Sequence, residues 1–328
     1  MRPRRYEGSV RAVSSDLGDV VYRRAARSLR LQRASLAKQL GRFDDNPQRD
    51  SPCCRDRNAL SARSKKAQAR RWILDETIRQ AGRITSSAAD HMLGLEKCLE
   101  GKPEAQFCTM TLGRGVLDAA TRVCYLLDPM ITLEMRLLRG AALLLDSSEE
   151  EVTAVRDLPP SEAPMPHAQK IVTSIHDNVQ GWITLAGMDI RTGQNRKSNG
   201  IAWDAASKPV SLKINVSSES AKYFPDVPAV YRMTSGVAHS MPWMLHDPDD
   251  RPSSVLMAQA AALAAMGGCI KIGQRYAEYY GHDFSRDEDL GMLRCKAITL
   301  ATYDYVRAGN NSLGRYIDDP RLQGPPSP

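Results

Sequence analysis

The chain has 328 residues, of which 42% are hydrophobic, so it is long enough for one large domain or two ordinary ones. Its net charge of +7 is concentrated at one end. Residues 1–71 contain 19 Lys/Arg against 7 Asp/Glu, and the other residues contain 26 basic against 31 acidic, a net of −5. The overall basicity is therefore no argument that the body of the protein binds nucleic acid.

Three further features exclude other classes of protein. The seven cysteines are irregularly spaced, which argues against a disulfide framework. The basic N-terminus lacks a following apolar segment, and so does not resemble a secretory signal. The longest nearly apolar run, Val255 to Met266, is too short to cross a bilayer. We therefore expect a cytoplasmic protein with no membrane partner.

Residues 1–63 mix clusters of arginine with Ser, Asn and Pro. A basic amphipathic helix could form between Asp16 and Phe43. Segments of this composition bury too little apolar surface to offset the entropy of ordering, so we expect a disordered basic arm. The alternative is an arm that binds RNA, DNA or lipid headgroups.

Residues 64–308 show the three- and four-residue apolar spacing of amphipathic helices, and residues 309–328 are a polar tail. The sequence thus predicts an all-α protein, a single bundle of about six to seven helices. Thr132 and Ser285 are expected to cap helices. Residues 189–208 read as a long irregular segment, and Val210 to Val216 is the one candidate strand. The Ala-rich stretch Ser253 to Gly281 predicts a helix that approaches another closely, within the subunit or across a dimer.

The helix predicted between Pro103 and Asp128 carries an arginine on its apolar stripe. Arg114 lies seven residues after Phe107 and three before Leu117. A charged side chain in such a position is rarely left unpaired, and Asp118 is four residues further along the same face. The sequence predicts a structural Arg114–Asp118 pair, or else an arginine that lines a buried anion pocket.

A second polar pattern lies between Tyr231 and His239. In a helix, Arg232, Ser235 and His239 share one face, with Arg232 and His239 roughly 10 Å apart along the axis. An arginine and an imidazole so placed could hold one phosphate between them. The histidine would then be the general base or acid in metal-independent RNA cleavage, and the arginine would stabilise the charge of the pentacovalent state. The alternative is a histidine buried in a bundle and an arginine paired with a carboxylate.

These two patterns together resemble the HEPN superfamily of small helical bundles, and most closely its bacterial HEPN-like branch. Leu112, Arg114 and Asp118 match the leucine–arginine helix with an acidic residue four positions on. Tyr231, Ser235, Gly236 and His239 match the late Tyr-x-x-x-Ser-Gly-x-x-His motif. Arg232 and His239 meet the R-x(4–6)-H motif at its longest spacing. The resemblance covers about residues 85–305 and departs from catalytic members at Met233, where they usually carry a polar residue.

The resemblance implies a bacterial protein of defence or stress response with RNA as its ligand. It implies Arg232 and His239 as catalytic residues, Arg114 and Ser235 as anion-binding residues, and no metal or cofactor. It also implies a homodimer in which two sites face each other, and the Ala-rich helix could supply part of that interface. The alternative is a non-catalytic helical module that binds other proteins.

A metal-dependent phosphohydrolase is the competing enzyme class. Three His-Asp pairs begin at His176, His246 and His282. Helical phosphohydrolases use an H…HD…D set of ligands. No histidine lies at a suitable distance before the first pair, and the other two pairs fall in predicted loops, so we disfavour this class.

Overall fold

The structure is a computed structural model that describes residues 6–44, 47–101, 105–157, 165–193, 198–225, 232, 234–236 and 251–317. The prediction of an all-α protein is confirmed, although nine helices of eight or more residues lie within these ranges instead of six to seven. They are α1 Tyr6–Asp44, α2 Pro52–Ala59, α3 Lys65–Glu100, α4 Gln106–Leu126, α5 Leu133–Arg156, α6 Met165–Leu185, α7 Val216–Tyr223, α8 Arg251–Tyr280 and α9 Ser285–Ile317. The last helix continues past residue 308, where the domain was predicted to end.

Four long helices form the centre of the fold. Helices α1 and α4 both pack against α3 and α8, and α9 lies along α1 and α8. Met92, Leu95, Leu117, Ala261 and Ala265 are among the fully buried residues of this core. The packing brings the apolar stripes of α3 and α4, which were recognised from their spacing, to the same interior.

Helices α4 and α8 approach each other very closely. A Cβ atom at Gly113 would lie 2.9 Å from the carbonyl oxygen of Ala261, and one at Gly268 would lie 3.2 Å from Val116. Ala258, Ala261, Ala262 and Ala265 are all buried here. The predicted close approach of the Ala-rich helix therefore occurs within one chain, so this face is not available to a second subunit.

A second core lies beside the first. Leu74 from the first half of α3, Leu138 and Leu145 from α5 and Ile183 from α6 are buried in it. Trp72 and Trp182 stack with ring centroids 5.4 Å apart. Helix α3 has 36 residues and contributes to both cores, so it connects the two halves of the molecule.

A small antiparallel sheet covers one end of the second core. Its strands, in the order β1-β2-β3, are β1 Asp189–Thr192, β2 Ser198–Ala202 and β3 Val210–Ser211. The prediction that residues 189–208 are irregular is thus wrong for β1 and β2. Their alternation is short and interrupted by Asn199 and Gly200, and a Cβ at Gly200 would lie 2.8 Å from the carbonyl oxygen of Val210.

The prediction of a disordered arm at residues 1–63 is also wrong. Residues 6–44 form one helix, and Val21, Leu29, Leu36 and Phe43 are at most 1% exposed in the main core. The arginines lie on the other faces of this helix, and Arg30 and Arg33 reach Glu96 of α3. Composition averaged over the segment concealed this division into an apolar and a basic face.

Arg136 of α5 is buried to 1% exposure at the junction of four helices. Its Nε donates to Oδ2 of Asp56 in α2 at 2.9 Å. Its two Nη atoms donate to the carbonyl oxygens of Leu126 and Asp128 at the end of α4, at 2.9 and 3.0 Å. Tyr279 of α8 stacks under the guanidinium and donates to the same oxygen of Asp56 at 3.2 Å. This arginine thereby satisfies the free carbonyls at the C-terminus of α4 and holds α2, α5 and α8 around them.

Helix α8 is long and apolar enough to cross a membrane when judged by length and composition alone. The segment Ser254–Tyr280 has a mean hydropathy of 1.6 in its best window, and 67% of that window is buried. The sequence-based estimate from Val255 to Met266 was therefore too short. Its surroundings are those of a core helix, because α1, α4 and α9 cover it.

We expect Leu29→Ala to destabilise the protein by about 2–5 kcal/mol, because truncation of a fully buried leucine leaves a cavity. Leu31→Ala, two residues away on the exposed side of α1, is the matched control and should change stability by less than about 0.5 kcal/mol. Urea unfolding followed by circular dichroism measures both. Equal stability of the two variants and the wild type would show that α1 does not pack on the core.

We expect Arg136→Met to cost about 3–5 kcal/mol, because it leaves Asp56 as an uncompensated buried charge. The double variant Arg136→Met/Asp56→Leu should recover part of that loss, since neither charge then remains buried. Arg156→Met, at the exposed end of the same helix, is the control. A loss of less than about 1 kcal/mol in Arg136→Met would contradict the role assigned to this arginine.

Candidate anion-binding site

The predicted helix around Arg232 is confirmed where the structure describes it. Arg232 and residues 234–236 are helical. Arg232 is exposed, Thr234 and Gly236 are buried, and Ser235 is half-buried. This turn therefore packs on the protein through Thr234 and Gly236, while the arginine faces solvent, where an anion can reach it. Tyr231, Met233 and His239 lie outside the described residues, so the spacing of Arg232 and His239 stays a prediction.

The predicted pair of Arg114 and Asp118 is present on α4. The Nε atom of Arg114 lies 2.8 Å from Oδ1 of Asp118, and the arginine side chain is 13% exposed. That oxygen accepts no aligned hydrogen bond among the described residues, so the contact is an ion pair without directed hydrogen bonding. An i, i+4 spacing on a helix brings the two side chains together. The structural interpretation of Arg114 is thus supported.

Two glycines fix the position of Arg114, and the sequence analysis missed them. Gly113 faces the backbone of Ala261 in α8, and Gly115 faces the ring of His91 in α3. A side chain at either position would meet its neighbour at less than an ordinary van der Waals distance. Helix α4 is therefore closely held on both sides of the arginine. The Gly-Arg-Gly sequence in a helix interior was the available signal, because glycine there lowers helix stability and needs a packing reason.

The best-defined clefts in the described ranges do not include the predicted site residues. They are lined by residues other than Arg114, Arg232 and Ser235. The assignment of the two arginines to one site therefore stays a prediction.

A cluster around Asp128 anchors the chain just before the Arg232 turn. Oδ2 of Asp128 accepts hydrogen bonds from Lys222 and from the hydroxyl of Tyr223, each at 3.1 Å. Burial alone would raise the pKa of Asp128, but the hydrogen bonds from the Met130 amide and from Lys222 leave it below its ordinary value. The carboxylate therefore ties the end of α7 to the end of α4, nine residues before Arg232.

The cleft between α5, α6 and the small sheet has the wrong charge for an RNA ligand. Its volume is about 610 Å³. Asp146, Glu149 and Glu150 line it together with Lys213, and burial raises the pKa of Asp146. Glu149 and Glu150 belong to an acidic run of three residues, 149–151. A phosphodiester chain would be repelled here.

The two described His-Asp pairs have structural surroundings. His176 lies 3.0 Å from the hydroxyl of Ser148 through Nδ1 and 2.9 Å from the amide of Gln180 through Nε2. His282 stacks on Phe43 with ring centroids 5.0 Å apart. His246 lies outside the described residues. Within the described ranges no three His, Cys, Asp or Glu residues are placed to hold a metal ion.

Comparison with known proteins adds no identification. No family model, no curated protein and no solved structure matches the chain. The resemblance to HEPN proteins therefore continues to depend on the two short motifs alone.

Proposed function

We propose that the protein is a bacterial HEPN-like protein that binds RNA and cleaves it without a metal ion. The observation that carries the proposal is the exposed guanidinium of Arg232 on a packed helical turn. The ion pair of Arg114 with Asp118 agrees with the spacing of the first motif of the resemblance, but it does not separate a structural role of Arg114 from an anion-binding one. The proposal also includes a cytoplasmic location and a homodimer.

The chemistry needs a proton acceptor, a proton donor and a positive charge. His239 would take the proton of the 2′-hydroxyl, and the leaving 5′-oxygen would receive a proton from the resulting imidazolium or from water. The 2′-oxygen forms a bond to phosphorus while the bond to the 5′-oxygen breaks. The guanidinium of Arg232 would stabilise the negative charge that develops on the phosphoryl oxygens.

We expect purified protein to cleave total RNA in the presence of EDTA, and His239→Ala to slow the reaction by about 10²–10⁴-fold, the usual contribution of a general acid or base. Arg232→Ala should also reduce the rate. His167→Ala is a matched control, because it removes an exposed histidine from α6. Gel analysis of the RNA measures all four proteins.

Three other outcomes of that experiment would contradict the proposed function. If the wild type does not cleave RNA, the nuclease proposal is wrong. Cleavage abolished by EDTA would favour a metal-dependent enzyme. Equal cleavage by the wild type and His239→Ala would point to a contaminating nuclease or to another catalytic residue.

The second candidate is a non-catalytic module that binds another protein through α9. Five large side chains in the part of this helix before residue 308 remain exposed, among them Leu293 at 62% and Tyr303 at 60%. The others are Leu290, Met292 and Leu300. Apolar side chains grouped on one helix often mark an interface, and Met233 also favours this candidate.

If this face binds a second copy of the chain, the wild type should elute as a dimer and Leu293→Lys/Leu300→Lys as a monomer. Light scattering during size-exclusion chromatography measures the mass. Leu93→Lys, which changes an exposed leucine on α3, is the control. A monomeric wild type, or a dimer that persists in the double variant, would exclude this self-association.

A further inference from the structure

Helix α1 presents a row of arginines and a lysine on the surface of the folded protein. Between Val20 and Phe43 it contains seven basic residues and no acidic one. Its opposite side is buried through Leu29 and Leu36, so the helix cannot rotate without opening the core. The basic side is therefore a fixed surface of the body and not a flexible tail.

Only part of this charge is neutralised. Arg30 pairs with Glu96 and Glu100, Arg33 with Glu96, and Arg42 lies 3.7 Å from Asp287. Four exposed basic residues have no ion pair with the described part of the chain: Arg23, Arg24, Arg27 and Lys38. We call these four residues the α1 basic face.

We propose that the α1 basic face binds the phosphodiester backbone of a nucleic acid. The choice of RNA as this nucleic acid rests on the proposed function. The face belongs to α1, whose described packing partners are α3, α8 and α9. Its role is to hold the RNA chain, while the chemistry is assigned elsewhere.

The geometry of the face fits a linear polyanion. Arg24 and Lys38 are fourteen residues apart in one helix, which is a distance of about 21 Å. Positive groups spread over that length can contact several successive phosphates of one strand. The residues after 71 carry a net charge of −5, so a polyanion is directed to the first 71 residues, which include this helix, and away from the rest of the chain.

The burial of α1 argues against an anionic membrane as the partner. A helix that lies in a membrane interface inserts its apolar side among the lipids. In α1 that side is already occupied by the protein core, where Val21 and Leu29 are completely buried. Val20 and Leu31 are the large apolar side chains left exposed along the basic side, at 36% and 46%. The α1 basic face therefore has positive charge but little apolar surface that could insert into a membrane.

Fluorescence anisotropy with a labelled 2′-O-methyl RNA tests the proposal, because this probe has no 2′-hydroxyl and cannot be cleaved. The probe is titrated with the full chain over a range of KCl concentrations. Each phosphate contact contributes about −0.7 to the slope of log K against log salt for a single strand. Arg24→Ala/Arg27→Ala should make the slope less steep by about 1.4. This corresponds to roughly 25-fold weaker binding at 0.1 M salt if both proteins bind equally at 1 M.

Two double variants are the controls. Arg24→Lys/Arg27→Lys keeps both charges and should bind like the wild type. Lys170→Ala/Lys208→Ala removes two exposed charges from α6 and from the loop before β3, and should leave the slope unchanged. All variants should unfold at the temperature of the wild type, since the substituted side chains are exposed.

An unchanged slope in Arg24→Ala/Arg27→Ala would overturn the proposal, as would an equal loss in Lys170→Ala/Lys208→Ala or the absence of binding by the wild type. Sedimentation with phosphatidylserine vesicles that depends on Arg24 and Arg27, without RNA binding, would assign the face to a membrane instead. The binding measurement does not depend on catalysis, because the 2′-O-methyl probe cannot be cleaved. A chain that binds the probe but never cleaves total RNA retains the α1 basic face and loses the nuclease assignment.

Discussion

The buried guanidinium of Arg136 is the contact on which the arrangement of the other helices depends. Its three hydrogen bonds use one carboxylate and two backbone carbonyls from different elements. An arginine suits this position because its planar group presents several donors in fixed directions. Removal of water from such a charge is costly unless every donor is directed to an acceptor. The ends of α4 and α8 and the short helix α2 are therefore constrained to meet at one point.

The same junction also fixes α7. Asp128 supplies a carbonyl oxygen to Arg136 and its carboxylate to Lys222 and Tyr223. Helix α7, which ends nine residues before Arg232, is thus attached to the same end of α4.

The helical class could be predicted because apolar spacing over long segments is a strong signal. The N-cap at Thr132 formed as expected, with its hydroxyl accepting from the Met135 amide at 3.3 Å. Helix α9 begins at Ser285 as expected, but Asp283 provides the capping side chain. The pair of Arg114 and Asp118 was also accessible, since both residues lie in one helix. Local patterns of this kind need no knowledge of the tertiary fold.

The errors concern residues whose partners are distant in the sequence. Arg136 was passed over beside a run of leucines, because its partner Asp56 is 80 residues earlier. The arginines of α1 suggested disorder when counted together, because the glutamates that neutralise two of them belong to α3. The glycine at position 113 is explained by the close approach of Ala261 in α8, which leaves no room for a Cβ atom. No periodicity within a single segment can report such contacts.

Helix α1 leaves the ribosome before the helices that cover it. Its apolar side packs against α8 and α9, which begin more than 200 residues later in the chain. Most of the chain must therefore be made before Leu29 and Leu36 can be buried, and long-range contacts of this kind slow folding. Until then, the basic residues on the opposite side of α1 disfavour aggregation, because the α1 helices of two chains carry like charges and repel each other. A chain truncated before α8 would consequently leave the side of α1 that packs against α8 and α9 exposed to solvent.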